Sequence, residues 1–257
     1  MLKSLDLDGR VAVVIGGTSG LGRAIAHSLA KGGADTVASG RRQQLVDEVA
    51  GEIENIGRRT VRQAVDVLSR ESIDQLRDKV LEAFGHVDIL VNAAARIMRI
   101  KTKDMPESEW HATLDTNVAG ILRACQSFYG PLATSGRGRV INIASLGSFV
   151  GLKEVAAYSA SKAALLSLTR SLALEWAPQH VCVNAIAPGV FRTDMNKKLL
   201  DNTDRGREYL IRTPMGRFGT AEELGGAAVL LASDAASFLT GQCIVVDGGF
   251  LASGVNS

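Results

Sequence analysis

The chain has 257 residues, 46% of them hydrophobic and 22% charged, enough apolar material for one domain with a sizeable core. Its formal net charge of +2 at pH 7 excludes the broad basic field of a nucleic-acid or membrane-surface binder. The three cysteines (Cys125, Cys182, Cys243) and four histidines (His27, His86, His111, His180) are too scattered to form a metal site, and neither a signal pattern nor a long apolar span occurs, so a reducing, cytoplasmic setting is expected.

In chain order, the run Arg10-Val11-Ala12-Val13-Val14-Ile15 is rich in branched apolar residues, as in a strand buried on both faces. It leads into Gly16-Gly17-Thr18-Ser19-Gly20-Leu21-Gly22, and Arg23 to Ala30 then reads as a helix. Strand, glycine turn and helix make the first unit of a dinucleotide fold, in which the turn lets the backbone approach a pyrophosphate and the helix N-terminus offers unpaired N–H groups. Further strand-like runs fall at about 35–39, 60–65, 87–92, 138–144, 181–187 and 243–247, with helical stretches between them. The alternation predicts a single doubly wound α/β domain of Rossmann type over 1–257, with a parallel sheet of about seven strands. The least regular stretch, at about 190–215, follows a strand's carboxyl end, where a substrate lid is expected.

Tyr158 and Lys162 stand four residues apart in a stretch without helix breakers, so phenol and ammonium project from one helix face. A tyrosine titrates near pH 10, and a cation fixed beside it is expected to lower that value and fit the phenol for acid–base work.

With these motifs and those between them, the sequence resembles the short-chain dehydrogenase/reductase family over nearly its whole length. The family's glycine motif is matched by Gly16, Gly20 and Gly22, its adenine-contacting acid by Asp66 before Val67, and its fourth-strand motif by Asn92-Ala93-Ala94-Ala95. Its catalytic asparagine, serine, tyrosine and lysine are matched by Asn117, Ser145, Tyr158 and Lys162, and its nicotinamide-covering segment by Pro188, Gly189 and Thr193. The resemblance implies hydride transfer between a nicotinamide cofactor and an alcohol or ketone. Tyr158 would move the proton, Ser145 would hydrogen-bond the substrate oxygen, Lys162 would also bind the nicotinamide ribose, and Asn117 would anchor a water chain. Ser19 and Leu21 in the turn, together with Ser39, complete the expected cofactor contacts. The chain departs from the pattern at Ile15, Ala93 and Ala95, which replace a threonine, an asparagine and a glycine, and Ala95 is expected to narrow the cofactor channel.

Cofactor choice rests on Ser39-Gly40-Arg41-Arg42. No carboxylate occurs between Asp35 and Asp47 to bind ribose hydroxyls, whereas a guanidinium suits a 2′-phosphate, so NADP(H) is favoured over NAD(H), with Arg41 and Arg42 as its partners. Four basic residues, Arg96, Arg99, Lys101 and Lys103, follow the fourth motif and make Arg99 a candidate partner for a substrate carboxylate. The C-terminal half resembles the gluconate 5-dehydrogenase branch, with 3-oxoacyl-carrier-protein reductase as an alternative and a catalytically silent NADP(H) sensor as a third reading. A homo-oligomer, most simply a tetramer, is expected. The stretch from Ala163 to Trp176, and that carrying Trp110, Leu114, Val118, Ile121, Leu122, Cys125 and Phe128, are apolar around more than one face, and Phe250 and Leu251 offer a second contact.

Overall fold

The computed structural model describes residues 3–193 and 196–254. Its strands, β1 (Val11–Ile15), β2 (Asp35–Ser39), β3 (Ile89–Asn92), β4 (Arg139–Ile143), β5 (Cys182–Pro188) and β6 (Cys243–Val246), are joined by helices in every crossover. In order these are α1 (Gly20–Lys31), α2 (Gln43–Asn55), α3 (Arg70–Phe84), α4 (Glu107–Leu114), α5 (Gly120–Thr134), α6 (Ala156–Trp176), α7 (Lys197–Leu200), α8 (Asp204–Ile211) and α9 (Gly225–Ala232). All five strand pairings are parallel, in the order β2-β1-β3-β4-β5-β6. The chain winds outward from β1 to β2 and then returns to the other side of β1 with β3. The crevice beyond the carboxyl ends of β1 and β3 is therefore where an open α/β sheet places a ligand.

The branched runs read from sequence become strands because both faces of the sheet are covered. Side chains alternate along β1. Val11, Val13 and Ile15 join Leu76, Phe128, Leu165 and Trp176 beneath α3, α5 and α6, while Ala12 and Val14 join Ile25, Leu29, Ile53 and Leu231 beneath α1, α2 and α9. The two layers form one α/β domain.

One expected strand is not formed. The run at 60–65 lies beside β2, tied by Thr36 N–H to the Arg59 carbonyl (3.1 Å) and Val65 N–H to the Gly40 carbonyl (3.0 Å), and the sheet has six strands rather than seven. Side chains have taken the backbone groups that a ladder needs. Asp35 Oδ1 accepts from Arg59 N–H, Lys79 Nζ donates to the Arg62 carbonyl, and the Ser39 hydroxyl donates to the Gln63 carbonyl.

A polar strut crosses the middle of the buried layer. Asn92 Nδ2 donates to Asn142 Oδ1 (2.9 Å), and Asn142 Nδ2 donates to Thr169 Oγ1 (3.0 Å) on α6. Asn92 and Asn142 are register partners of β3 and β4, so the strut links two strands to the helix that carries Tyr158 and Lys162. Asn92, expected at the cofactor, has its amide nitrogen committed to this strut and to Cys125 Sγ (3.4 Å), while its buried Oδ1 has no hydrogen-bond partner among the described residues.

Candidate active site

The glycine turn is shaped by backbone packing. Gly16 and Gly17 donate their N–H groups to the Ser39 carbonyl (2.8 and 3.0 Å), which docks the turn on the end of β2. Gly16 has φ +86°, and a Cβ on it would lie 2.4 Å from Ala94 N in the loop after β3. A Cβ on Gly22 would lie 2.1 Å from the Gly16 carbonyl oxygen, so α1 can start this close to β1 only with glycine there. Ser19 caps α1 in extended conformation, is exposed, and makes no side-chain capping bond. The first-turn N–H groups around Gly20 and Leu21 thus present an open, positively polarised helix end. This turn, whose close backbone packing excludes a side chain at Gly16 or Gly22 and leaves the helix N-terminus open, fits a dinucleotide pyrophosphate.

The other expected cofactor residues fall around it. Asp66 is half-buried, with Oδ1 accepting from Leu68 N–H (3.0 Å), and Val67 packs under α5 where a Cβ on Gly120 would touch it at 3.0 Å. Gly189 passes so close to Asp247 that a Cβ would lie 2.5 Å from its Cα, and Pro188 closes the buried β5. Thr193 stands beside Gly20, with its Cγ2 4.0 Å from where a Cβ would be, so the segment after β5 reaches the glycine turn. Ser39 is buried and supports the turn from below. Arg41 and Arg42 are exposed at the carboxyl end of β2 and pair with no carboxylate among the described residues.

Four expected catalytic residues come from three different elements. α6 carries Tyr158 and Lys162 on one face, with Lys162 Nζ 5.7 Å from the Tyr158 ring centroid. Lys162 is 1% exposed, and its ammonium donates to the Ile143 carbonyl (2.7 Å) at the last residue of β4. Burial lowers its pKa from 10.5 to about 8. Ser145, two residues past β4, hydrogen-bonds the Tyr158 phenol, and its Oγ accepts from Gly147 N–H (3.1 Å). The expected lowering of the tyrosine by lysine is not what this geometry gives. Burial raises the Tyr158 pKa, and the hydroxyl of Ser145 is the group that opposes the rise. The ammonium is engaged by the strand end, which explains the difference.

Asn117 is fully buried and lies in a π-helical turn, Asp115–Ala119, between α4 and α5. Its Oδ1 accepts from Arg96 N–H (2.7 Å), and its Nδ2 donates to the Arg96 carbonyl (2.9 Å) and to Ser161 Oγ (2.9 Å). The amide thus grips both backbone groups of one residue in the loop after β3, as a neighbouring strand would. Arg96 itself was absent from the expected site. Its guanidinium is held by both Glu109 oxygens (2.8 and 2.7 Å) on α4. The only sequence signal for this clamp was an asparagine, a mediocre helix former, inside a helical run.

The chain is similar to known proteins over nearly its whole length. Residues 16–251 match the family model described as enoyl-(acyl carrier protein) reductase. A Bacillus subtilis protein named 2-dehydro-3-deoxy-D-gluconate 5-dehydrogenase is 39% identical over 250 residues, covering 96% of this chain and 97% of its own. The NAD-dependent glycerol dehydrogenase of Listeria innocua is 36% identical over 248 residues, 96% of each chain. The crystal structure of a gluconate 5-dehydrogenase from Burkholderia cenocepacia, in complex with NADP and tartrate, superposes with a TM-score of 0.94 at 32% identity, covering 98% of this chain and 99% of that one.

The buried lysine sets a pH dependence of stability. Its folded pKa, about 8, lies below the ordinary 10.5, so between these values the unfolded chain binds more protons and this group's destabilising effect fades as pH rises. Lys162→Met should therefore be more stable than the wild type at pH 7, and the gap should hold to about pH 8 and narrow from there toward pH 10. Urea unfolding of both proteins across that range checks it, and a gap independent of pH would contradict the assignment.

Proposed function

The chain belongs to the short-chain dehydrogenase/reductase family and is an oxidoreductase acting on CH–OH groups with NAD(P); on that premise we propose that it interconverts a secondary alcohol and a ketone in a sugar acid, with NADP(H) as its cofactor. The observation that carries this reading is the convergence of Ser145, Tyr158 and Lys162 beyond the end of β4.

Bound NADP(H) supplies the hydride, or accepts it. In the oxidative direction Tyr158 Oη takes the proton from the substrate hydroxyl as the carbon gives up its hydride, and in reduction it returns that proton. Ser145 donates a hydrogen bond to the same oxygen as negative charge develops there. Lys162 binds the nicotinamide ribose, and its pKa near 8 leaves its ammonium able to exchange a proton at neutral pH. Asn117 would anchor a water chain from Lys162 to solvent. The cradle of Gly16, Ser19, Gly20, Leu21 and Gly22 holds the pyrophosphate, and Asp66, Val67 and the backbone near Asn92 hold the adenosine half. Pro188, Gly189 and Thr193 cover the nicotinamide, and the segment at about 190–215 serves as the lid.

NADP(H) is favoured because Arg41 and Arg42 are exposed at the end of β2 and unpaired with any described carboxylate. A side chain at Gly40, where an NAD-selective acid would stand, would meet Thr18 Oγ1 at 2.8 Å. For the substrate, Arg99 and Lys101 are exposed on the loop after β3, and two of the relatives above are named for sugar acids. A cytoplasmic setting suits three cysteines that are all unpaired. No helix among the described residues is long and apolar enough to cross a membrane.

We propose a homo-oligomer, built on the outer face of α4, α5 and α6. Ile121, Cys125 and Phe128 turn into the core, which leaves Trp110, Leu114, Val118 and Leu122 at least partly exposed, beside Ala164 on α6. Of Phe250 and Leu251, expected to offer a second contact, Leu251 stays partly exposed while Phe250 turns inward. It is 2% exposed, packed on Tyr209 (6.3 Å between ring centroids) with the Arg212 guanidinium over its ring. Fully exposed Phe238 and half-exposed Val245 take that place at the β6 edge.

Turnover of D-gluconate with NADP⁺, within a panel of sugar acids, simple ketones with NADPH and acetoacetyl thioesters, tests the substrate reading. Activity on thioesters alone would select the carrier-protein alternative, and cofactor binding without any turnover would select a sensor. Tyr158→Phe should lower kcat by about 10²-fold or more while NADPH binding persists. Arg41→Asp should raise KM for NADPH well above its effect on NADH, and an equal loss for both would remove the phosphate role. Sedimentation at micromolar concentration should give a multiple of 27.2 kDa, most simply four; a monomer would end the oligomer proposal.

A further inference from the structure

Glu154 lies four residues before Tyr158, in the segment that leads from Ser145 into α6. Its φ is +70°, a conformation that residues other than glycine seldom adopt and that persists where surrounding contacts impose it. Two such contacts are present. The Glu154 carbonyl accepts from Ile100 N–H (2.8 Å), in the loop that follows β3 and carries Arg99 and Lys101. The Glu154 carboxylate accepts from Arg205 Nη2 (2.9 Å), in the first turn of α8. One residue therefore touches three segments that chain topology brings together beyond the sheet: the approach to Tyr158, the loop after β3, and the segment after β5. On the far side of this junction the segment is fixed again, by Met215 N–H on the Gly248 carbonyl (3.2 Å) and by Tyr209 against Phe250. The charges at the junction are arranged around Glu154. Arg205 bonds to it, and Arg99 and Lys101 act on it through space.

We propose that Glu154 is a positioning residue that couples the loop after β3 to α8 and so sets the width of the substrate opening beside Tyr158. It does so without touching the reacting atoms. The backbone carbonyl fixes the height of the loop, and the ion pair fixes α8 against the same residue, so a disturbance of α8 is felt at Ile100. A side chain of another charge would leave Arg205, Arg99 and Lys101 to repel one another and would open the junction.

Hydrogen–deuterium exchange on the full-length protein tests the coupling and needs no substrate, so its outcome is separate from that of the sugar-acid reading. Arg205→Ala should speed exchange about tenfold in a peptide spanning 97–102, although Arg205 makes no hydrogen bond to Ile100. Glu154→Gln, which keeps length and backbone, should speed exchange in that peptide and in one spanning 203–211. Arg205→Lys should retain protection, and the charge swap Glu154→Arg with Arg205→Glu should restore it. With the best substrate of the panel above, Glu154→Gln should raise KM about fivefold while kcat stays within about twofold. The proposal is overturned if Arg205→Ala leaves the 97–102 peptide unchanged, or if the swap protects no better than either single variant.

Discussion

An ammonium group inside a protein has to be held, and the carboxyl end of β4 is arranged around how Lys162 is held. Taking a charge out of water costs several kcal/mol unless a polar partner compensates. Here the partner is the carbonyl of Ile143, the last residue of β4, at 2.7 Å. That carbonyl is free because the strand ends there, so α6 must cross the carboxyl end of β4 at one particular height. Tyr158, one turn earlier, is then set beside Ser145, which the chain reaches two residues after the strand. The hydroxyl of Ser148 on the Lys162 carbonyl (2.8 Å) fixes the same crossing from the other side. The buried lysine thus locates Tyr158 and Ser145 relative to the end of β4.

The cofactor side obeys a different constraint, the closest approach of backbones. Between the Gly16 carbonyl, α1 and the loop at Ala94 there is no room for a methyl group. The N-terminus of α1 is thereby brought to the crevice where the strand order reverses. The polar strut from Asn92 through Asn142 to Thr169 keeps this half in register with the catalytic half, because it ties the strand beside the glycine turn to the helix that bears Tyr158. Asn117 works in a similar way from the opposite wall. By taking both backbone groups of Arg96 it fixes the loop whose far end meets Glu154.

Side chains standing in for backbone partners is a recurring device here. Asn117 does so for the loop after β3. Asp35, Ser39 and Lys79 do so for residues 59–63, and this is why a run with strand-like composition stays outside the sheet. Each substitution of a side chain for a ladder bond fixes a loop without extending the sheet over the crevice.

Much of this was legible in the sequence. Branched runs between helical stretches gave the parallel sheet, because strands covered on both faces need apolar residues at every position and β1 has them. The glycine spacing located the turn, and the four-residue spacing of Tyr158 and Lys162 placed both on one face, since each depends on local backbone geometry alone. Other features depended on partners distant in the chain and only the tertiary structure decided them. Residues 60–65 had the composition of a strand but lost their ladder to side chains from β2 and α3. Phe250 had the look of a surface contact but was claimed by Tyr209 and Arg212. The Tyr158 phenol was expected to be eased by its lysine, yet burial dominates because the ammonium turns to Ile143. Arg96 and Glu154 carry no motif, and the bonds that hold them reach across 21 and 51 residues of chain. Periodicity and spacing record what a segment does by itself, whereas the holding of a loop or the pKa of a buried group is fixed by whichever distant atoms the fold brings to it.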